Sequence, residues 1–518
     1  MKTYSIHLTH PSTHSIDQAV TQACEYVKKK QDATNNQIHS LEYLAWLFFL
    51  KCLEHQEQRA EPVKRKAEAP LALFKDTQYT WSAWIENVSK AETQEQVAYF
   101  LYQELFPLIQ TSFEIDTKYM HIYPDFTVFK QLLAVVDSVD LVQNIEKDTT
   151  AYLYSKLLDI LAKGSKTKSY KQTGIFSTPL PLVRFMVKLA SPQQDEIIYD
   201  PACGAGNLLI AAHKYIHDID PRQPVASVFQ GSEVHPSVLQ LCKMNLSLHN
   251  VDCSKIRERD ITRPITISDL FTYPDLYEDD YQKTEKKKLV ILTHPPFDVL
   301  DRQQIQEKTT RKGSSSKDYD NQFLEHCMDK LVDIGDKCVI VVSQNILLNR
   351  STRDIEVREK LVNNFNLRMV VQLPPETFDP FTHYPTYLLF FQKSGRSDKI
   401  LYCKMQQQKE TSKKKRQIRD EEFDQLLTVW QKWIQSPTDD LLQKGQEMYI
   451  QIKDSNELRK PDFKYILTID VAQQEENEAR DLSKTLDQLL QNCADLHNLA
   501  MKLRDEIVGE TQTHETGE

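Results

Sequence analysis

A proline-stiffened turn carrying a histidine and an aromatic ring follows a short apolar run in the middle of the chain. The stretch "VILTHPPFD" places His294, Pro295, Pro296 and Phe297 directly after residues 290–293. An imidazole can accept or donate a hydrogen bond, an aromatic ring can stack on a planar ligand, and prolines restrict the backbone. Residues 294–297, the proline turn, could therefore hold a polar group and a stacking surface in fixed positions.

A glycine-containing loop is the second candidate. The stretch "YDPACGAGNLLIAA" (199–212) predicts a strand that ends at Asp200, a tight loop and a helix. Gly204 and Gly206 let the backbone approach a ligand at the helix N-terminus, where an anionic group is favoured. The third glycine of the dinucleotide fingerprint is absent. Residues 203–207, the glycine loop, therefore indicate a ligand site and weigh against NAD or FAD.

Two acidic residues follow the next predicted strands. Glu233, in "GSEV", closes the second strand, where a carboxylate can accept both hydroxyls of a ribose. Asp260, in "RERDI", ends the next candidate strand and could accept the exocyclic amine of an adenine. Alone, Glu233 is equally well explained as a solvated charge at a strand end, and Asp260 would more often be a turn residue. Together with the glycine loop and the proline turn, they would share the carboxyl edge of one sheet, where such folds bind ligands.

Alternating strand and helix patterns must position these residues. Short apolar runs predict strands at 196–200, 226–234, 288–293, 337–343, 367–373 and 386–393, with helices at 207–216, 237–249 and 321–334 between them. This order predicts βαβ units and a mainly parallel sheet that is covered on both faces. The last two strands have no helix between them, which predicts an antiparallel edge.

Pattern and composition divide the chain into three regions: a mostly helical N-terminal domain (1–165), an α/β domain (166–400) and a C-terminal region (401–518). In the last region, apolar residues alternately three and four apart form a heptad seam: Ala479, Leu482, Leu486, Leu489, Cys493, Leu496, Ala500, Leu503 and Ile507. The seam predicts a coiled-coil helix at about 479–507 that pairs with another subunit or packs on the chain's own body.

Bulk properties exclude several classes of protein. A net charge of -10 argues against a chain that grips nucleic acid over its whole surface, though not against a local basic patch or a charged partner. The nine cysteines form no C-x-x-C pair, so we expect reduced thiols in the cytoplasm and no metal site. No apolar run approaches the roughly 18 residues of a membrane span, so we expect no membrane association.

These segments together resemble the S-adenosylmethionine-dependent amino-methyltransferases, in particular the modification (methylase) subunit of type I restriction-modification systems. "GIFSTP" is similar to the family's "GQFFTP", "DPACGAG" to its "DPxxGxG", and "MNLSLHN" to its "MNLxLHG". The resemblance covers nearly the whole chain. It implies a Rossmann-like S-adenosylmethionine-dependent methyltransferase domain, preceded by a helical domain and followed by a coiled-coil helix.

The resemblance also implies which residues contact the cofactor, S-adenosyl-L-methionine. Ile175 stands where the family usually has glutamine and Leu180 where arginine is common, so we expect looser contacts in residues 175–180, the closing segment. The implied cofactor-binding residues are Ile175, Phe176, Ser177, Thr178, Pro179, Leu180, Asp200, Gly204, Ala205, Gly206, Asn207, Glu233 and Asp260.

The proline turn departs from the family at one position, because His294 stands where the family has asparagine. In the family, the asparagine oxygen and the carbonyl of the next proline accept hydrogen bonds from the target amine, and the aromatic ring stacks on a flipped-out adenine. Histidine Nδ1 lies as many bonds from Cα as asparagine Oδ1, so a neutral ring could replace that acceptor. If His294 participates, we expect the rate of methylation to fall at acid pH, near the ordinary histidine pKa of about 6.5, shifted by the surroundings of the ring.

The resemblance implies methyl transfer to the exocyclic amine of adenine in double-stranded DNA. The implied partners are that DNA, a specificity subunit bound through residues 479–507 and, in some assemblies, a nuclease subunit, with two methylase copies per complex. Two alternatives stay open. The chain could have lost catalysis at His294 while it keeps cofactor binding and a scaffold role, or it could methylate a protein glutamine or an RNA base.

Overall fold

The computed structural model describes residues 16–30, 37–59, 79–91, 93–120, 122, 125–139, 177–265, 287–296, 319–378, 385–405, 418–435, 448–460, 465–467 and 491. The chain divides into two compact units, Met1–Ile466 and Leu467–Glu518. The first unit contains both the helical and the α/β regions predicted from the sequence. The predicted heptad seam lies outside the described residues.

The N-terminal part is helical, as the sequence patterns predict. A π-helical turn at Leu101–Leu105 joins the fourth helix to the fifth. The helices are α1 (Ile16–Lys30), α2 (Gln37–Arg59), α3 (Trp81–Lys90), α4 (Gln94–Phe100), α5 (Phe106–Phe113) and α6 (Phe126–Asp137). None of the helices in the described ranges is long and apolar enough to cross a bilayer.

Aromatic packing and one partly buried cation hold these helices together. The Trp46 ring of α2 meets the rings of Trp84, Phe106 and Phe129 at centroid distances of 5.7, 5.4 and 6.3 Å. The Lys51 ammonium group donates to the carbonyl oxygens of residues 136, 137 and 139, at the C-terminus of α6. Its charge is therefore placed at the carbonyl-rich end of the helix, where a cation is favourable.

A single mixed sheet forms the α/β part, and its described strands follow the order β3-β2-β1-β4-β5-β7-β6-β8-β9. The pairs among β3, β2, β1, β4 and β5 are parallel, as predicted. The strands are β1 (Ile197–Asp200), β2 (Val228–Glu233), β3 (Ile256–Glu258), β4 (Leu289–Thr293), β5 (Lys337–Ser343), β6 (Asn366–Gln372), β7 (Thr386–Gln392), β8 (Lys399–Met405) and β9 (Met448–Asp454).

The predicted antiparallel edge is wrong in its position. Strand β7 is antiparallel to both neighbours, but it is inserted between β5 and β6 rather than at the edge. Strands β8 and β9 then extend the same sheet past residue 400.

Helices cover this sheet: α7 (Leu180–Ala190), α8 (Asn207–Ile219), α9 (Pro236–Leu248), α10 (Tyr319–Lys330), α11 (Gln344–Leu348), α12 (Thr352–Asn364), α13 (Asp420–Gln435) and α14 (Ser455–Leu458). Helix α10 ends at Lys330, earlier than the predicted residue 334. The Asp336 carboxylate accepts the backbone N–H groups of Leu289, Val332 and Asp333, which stabilises a turn there instead.

Candidate functional site

The parallel register brings the predicted site residues to one edge of the sheet. Asp200 is level with Gly231 of β2, so Glu233 extends two residues beyond it. On the other side, Tyr199 is level with Ile291 of β4, so the proline turn begins close beyond Asp200. The ends of β2, β1 and β4 therefore bring Glu233, the glycine loop and His294 to the same edge.

The glycine loop has a backbone that other residues cannot easily adopt. Gly204 has φ +52° and Gly206, the N-cap residue of α8, has φ +82°. A Cβ atom added to Gly206 would lie 3.0 Å from Cys242 Sγ and 3.3 Å from Leu246 Cγ. Both backbone conformation and close packing therefore require glycine at position 206, and the loop presents backbone rather than side chains.

Glu233 fastens the glycine loop to β2. Its carboxylate accepts the N–H of Gly204 at 3.2 Å and the N–H of His235 at 2.9 Å. Burial raises the pKa of Glu233, and the surrounding backbone N–H groups oppose the rise. The residue as a whole is partly exposed, so a ligand can approach Glu233 from solvent.

Val234 was missed by the sequence analysis. It follows Glu233 directly and is 50 % exposed, although it is apolar. An exposed apolar side chain beside a carboxylate could contact a flat ring whose attached sugar hydroxyls reach Glu233. The sequence contained only a weak indication of this exposed apolar side chain, since a valine stands where polar residues normally follow the end of a strand.

Asp200 is 1 % exposed, so a ligand cannot reach its carboxylate without rearrangement. The carboxylate accepts the N–H of Ala202 at 3.0 Å and shapes the start of the glycine loop. Burial raises the pKa of Asp200 to about 7, while the Thr293 hydroxyl and the Ala202 N–H act to lower it. The residue therefore fixes the start of the glycine loop at the end of β1.

Asp260 is engaged in its own turn. It lies two residues past the end of β3. Its carboxylate accepts the Thr262 N–H at 3.1 Å and the Thr262 hydroxyl at 2.6 Å, and it pairs with Arg263 at 2.8 Å. These contacts fix the turn that follows β3, and a ligand would have to share the carboxylate with them.

The closing segment meets the proline turn through a side-chain hydrogen bond. Thr178 Oγ1 and His294 Nδ1 are 2.8 Å apart, although 116 residues separate them in the chain. Leu180 is the first residue of α7, and Pro179 precedes it as the N-cap residue. Ile175, Phe176 and Phe297 lie outside the described residues.

The His294 ring lies against a second residue that the sequence analysis missed. Phe378, at the end of the 3-10 turn after β6, is 3 % exposed, and its ring centroid lies 4.6 Å from that of His294. Burial lowers the pKa of His294 to about 3. The ring is therefore neutral in the physiological range, and His294 does not titrate near its ordinary pKa of about 6.5.

The Thr178 contact restricts what Nδ1 of His294 can do. If the proton is on Nε2, the single Nδ1 lone pair accepts the Thr178 hydroxyl hydrogen; if it is on Nδ1, that atom has no lone pair. In either neutral tautomer, Nδ1 cannot at the same time accept a hydrogen from a target amine. The replacement of the asparagine oxygen by Nδ1 therefore requires the Thr178 hydroxyl to turn away first.

No cluster of histidine, cysteine, aspartate or glutamate in the described ranges is arranged to hold a metal ion. The site consists instead of backbone groups of the glycine loop, one carboxylate, one exposed valine and a neutral histidine. Such a set fits an organic, nucleoside-like ligand.

Comparisons with known proteins agree with this geometry. The family model described as N-6 DNA Methylase matches residues 146–481. Among curated relatives, the type I restriction enzyme EcoEI methylase subunit of Escherichia coli is 23% identical over 74% of this chain and 76% of that protein. The MjaVII methylase subunit of Methanocaldococcus jannaschii is 24% identical over 74% of this chain but only 62% of that protein.

Solved structures show the same fold. A modification subunit of a putative type I restriction enzyme from Vibrio vulnificus YJ016 has a TM-score of 0.63 and 23% identity, with 87% of this chain and 95% of that chain covered. A type I restriction-modification methyltransferase subunit from Streptococcus thermophilus has a TM-score of 0.59 and 20% identity, with 88% and 99% covered. The described sheet and helices therefore have the fold of these two structures.

Proposed function

The chain belongs to the N-6 DNA methylase family, and on that premise we propose that it transfers a methyl group from S-adenosyl-L-methionine to the exocyclic amine of adenine in double-stranded DNA. It does so as the methylase subunit of a type I restriction-modification system. The observation that carries the proposal is the meeting of the glycine loop, Glu233 and the proline turn at one sheet edge, with Thr178 in contact with His294.

The residues present fit the cofactor. The positive φ angles of Gly204 and Gly206 open the loop backbone to close approach, as a ligand at a helix N-terminus requires. Glu233, a partly exposed residue, can accept ribose hydroxyls with its carboxylate, and Val234 can cover the face of the base. S-adenosyl-L-methionine, when bound there, supplies an electrophilic methyl group on a sulfonium centre.

The proline turn receives the adenine amine. As the amine attacks, its nitrogen gains positive charge, so acceptors that are fixed beforehand stabilise the transition state. The Pro295 carbonyl accepts one amine hydrogen, and His294 Nδ1 accepts the other after the Thr178 hydroxyl has turned to another acceptor. Because His294 is neutral at physiological pH, it does not repel the positive charge that develops on the amine nitrogen. Phe297 stacks on the flipped-out base.

Sequence recognition belongs to partner proteins in this proposal. The acidic chain, with a net charge of -10, binds a specificity subunit through the heptad seam at 479–507. Two methylase subunits, the specificity subunit and, where present, a nuclease subunit then assemble on the DNA in the cytoplasm.

A methyl-transfer assay tests the proposal. The chain, the co-encoded specificity subunit and tritiated S-adenosyl-L-methionine are incubated with an adenine-containing duplex. We expect label in the DNA with the wild type and almost none with Glu233→Ala. Label with His294→Asn but none with the wild type would identify a chain that has lost catalysis; label in protein or RNA but not DNA would favour the other alternative.

A further inference from the structure

A buried asparagine outside the predicted site holds the glycine loop. Asn245, on α9, is 0 % exposed. Its Nδ2 donates to the carbonyl oxygen of Ala205 at 2.8 Å and lies 3.4 Å from Asn207 Oδ1. A loop built from glycine and alanine has few side chains with which to fix its own backbone. Asn245 therefore restrains it from the neighbouring helix.

The same helix carries the contact with the N-terminal helical domain. Four residues of α9, together with Ala205, belong to the buried apolar cluster that contains the core of α2: Val238, Leu241, Met244 and Leu248. The Gln56 side chain of α2 donates to the Leu248 carbonyl at 2.5 Å. The buried Gln240 side chain accepts the Asp116 N–H at 2.8 Å. Helix α9 thus lies in contact with both the helical domain and the loop.

We propose that Asn245 is a positioning residue for the methyl donor, and that α9 couples docking of the N-terminal helical domain to the shape of the glycine loop. This inference rests on the proposed function. A buried carbonyl that loses its donor is costly, so the Ala205 backbone would move to find another partner. Since the loop backbone forms the cofactor surface, cofactor binding would weaken while the proline turn stays unchanged.

The variant Asn245→Leu, made in the full chain, replaces the Nδ2 donor with an apolar side chain of similar size. Calorimetry measures S-adenosyl-L-methionine affinity, and hydrogen exchange follows residues 202–207 in the cofactor-free protein. We expect about tenfold weaker binding, equivalent to about 1.4 kcal/mol, with faster loop exchange. In the transfer assay KM for the cofactor rises and kcat at saturation is retained. Unchanged affinity and exchange would overturn the role of Asn245.

Ser455→Ala is the matched control, because Ser455 is also buried and also donates to a backbone carbonyl, that of Ser397, at 2.6 Å. It is the first residue of α14, directly after strand β9, so we expect lower thermal stability with unchanged cofactor affinity. If Asn245→Leu does not fold, Asn245→Ser gives the same comparison with a smaller change.

The coupling is tested with Gln240→Met, which removes the acceptor for the Asp116 N–H on the domain side of α9. We expect weaker cofactor binding, by about threefold, and a smaller additional loss when it is combined with Asn245→Leu. Unchanged affinity in Gln240→Met would overturn the coupling. A wild type that binds no cofactor would contradict the proposed function, whereas the hydrogen-exchange comparison would still decide the role of Asn245 in the loop.

Discussion

The two halves of the site are built on different principles. On the side of β1 and β2, the glycine loop and Glu233 form a surface of backbone groups tied by several hydrogen bonds. On the side of β4, the acceptor function depends on one side chain, His294, whose Nδ1 atom is shared with Thr178. In the proposed function, affinity for the cofactor therefore depends mainly on backbone shape, whereas the rate of transfer depends on the imidazole together with the Pro295 carbonyl.

The largest expected effect is on the cofactor side. In Gly206→Ala, the new Cβ meets Cys242 Sγ at 3.0 Å in a left-handed backbone, which displaces the loop. We expect cofactor affinity to fall by about 100-fold, or about 2.7 kcal/mol, in a calorimetric titration.

Gly395→Ala is the control, because Gly395 has φ +98° and nothing within 4 Å of the added Cβ. It carries the same backbone strain away from the site and should lower stability alone. Equal losses of affinity in both variants would mean that the loop shape is not specific to the cofactor.

Glu233→Gln is expected to have the next largest effect. The Gly204 and His235 N–H groups bond to different oxygens of the carboxylate, so the neutral amide keeps an acceptor for only one of them. It also loses the charge that strengthens hydrogen bonds from ribose hydroxyls. We expect about 20-fold weaker cofactor binding, measured by titration. Glu258→Gln is the control, because Glu258 is level with Glu233 on β3 and is exposed; similar losses in both would point to a general charge effect.

On the other side, His294→Asn should accelerate methyl transfer, by about tenfold at saturating cofactor. The amide oxygen has two lone pairs, so it can accept an amine hydrogen even when Thr178 is nearby. Single-turnover rates between pH 5 and 8 provide the measurement. A slower variant would show that the imidazole itself is needed.

Thr178→Val sharpens this test, because it removes the hydroxyl that engages Nδ1. In the wild-type background it should raise the saturated transfer rate, and in the His294→Asn background it should change that rate much less. Equal changes in both backgrounds would show that Thr178 acts independently of His294.

The smallest expected effect concerns Asp200, which lies between the two halves. Its pKa is raised from 3.8 to about 7 in the folded chain, so its contribution to stability is complete below pH 4 and is lost as the pH rises through 7. Between pH 6 and 8 this loss is about 1 kcal/mol. Denaturation at both pH values should show that Asp200→Asn gains stability relative to wild type as the pH rises; a constant difference would contradict the raised pKa.

The sequence predicts the parts of the fold that depend on neighbouring residues, but not the parts that depend on distant segments. Strands β1, β2 and β4 to β7 follow from apolar runs, and the glycine loop follows from its local pattern, because these features depend on neighbouring residues. The insertion of β7 between β5 and β6, and the addition of β8 and β9 beyond residue 400, depend on pairings between distant segments. Local patterns do not encode those pairings.

Prediction of the functional site from the sequence is limited in the same way. Glu233 and His294 are recognised by their position after predicted strands. Phe378, Asn245 and the contact of Thr178 with His294 become visible only when segments more than 30 residues apart are brought together. The effect of burial on the pKa of His294 likewise depends on those distant neighbours.

Identification of the methylated base tests the central claim most directly. Duplex DNA is incubated with the wild-type chain, its specificity subunit and S-adenosyl-L-methionine, digested to nucleosides and analysed by mass spectrometry. We expect adenine methylated on its exocyclic amine. Methylated cytosine, or no methylated base from a chain that binds the cofactor, would contradict it.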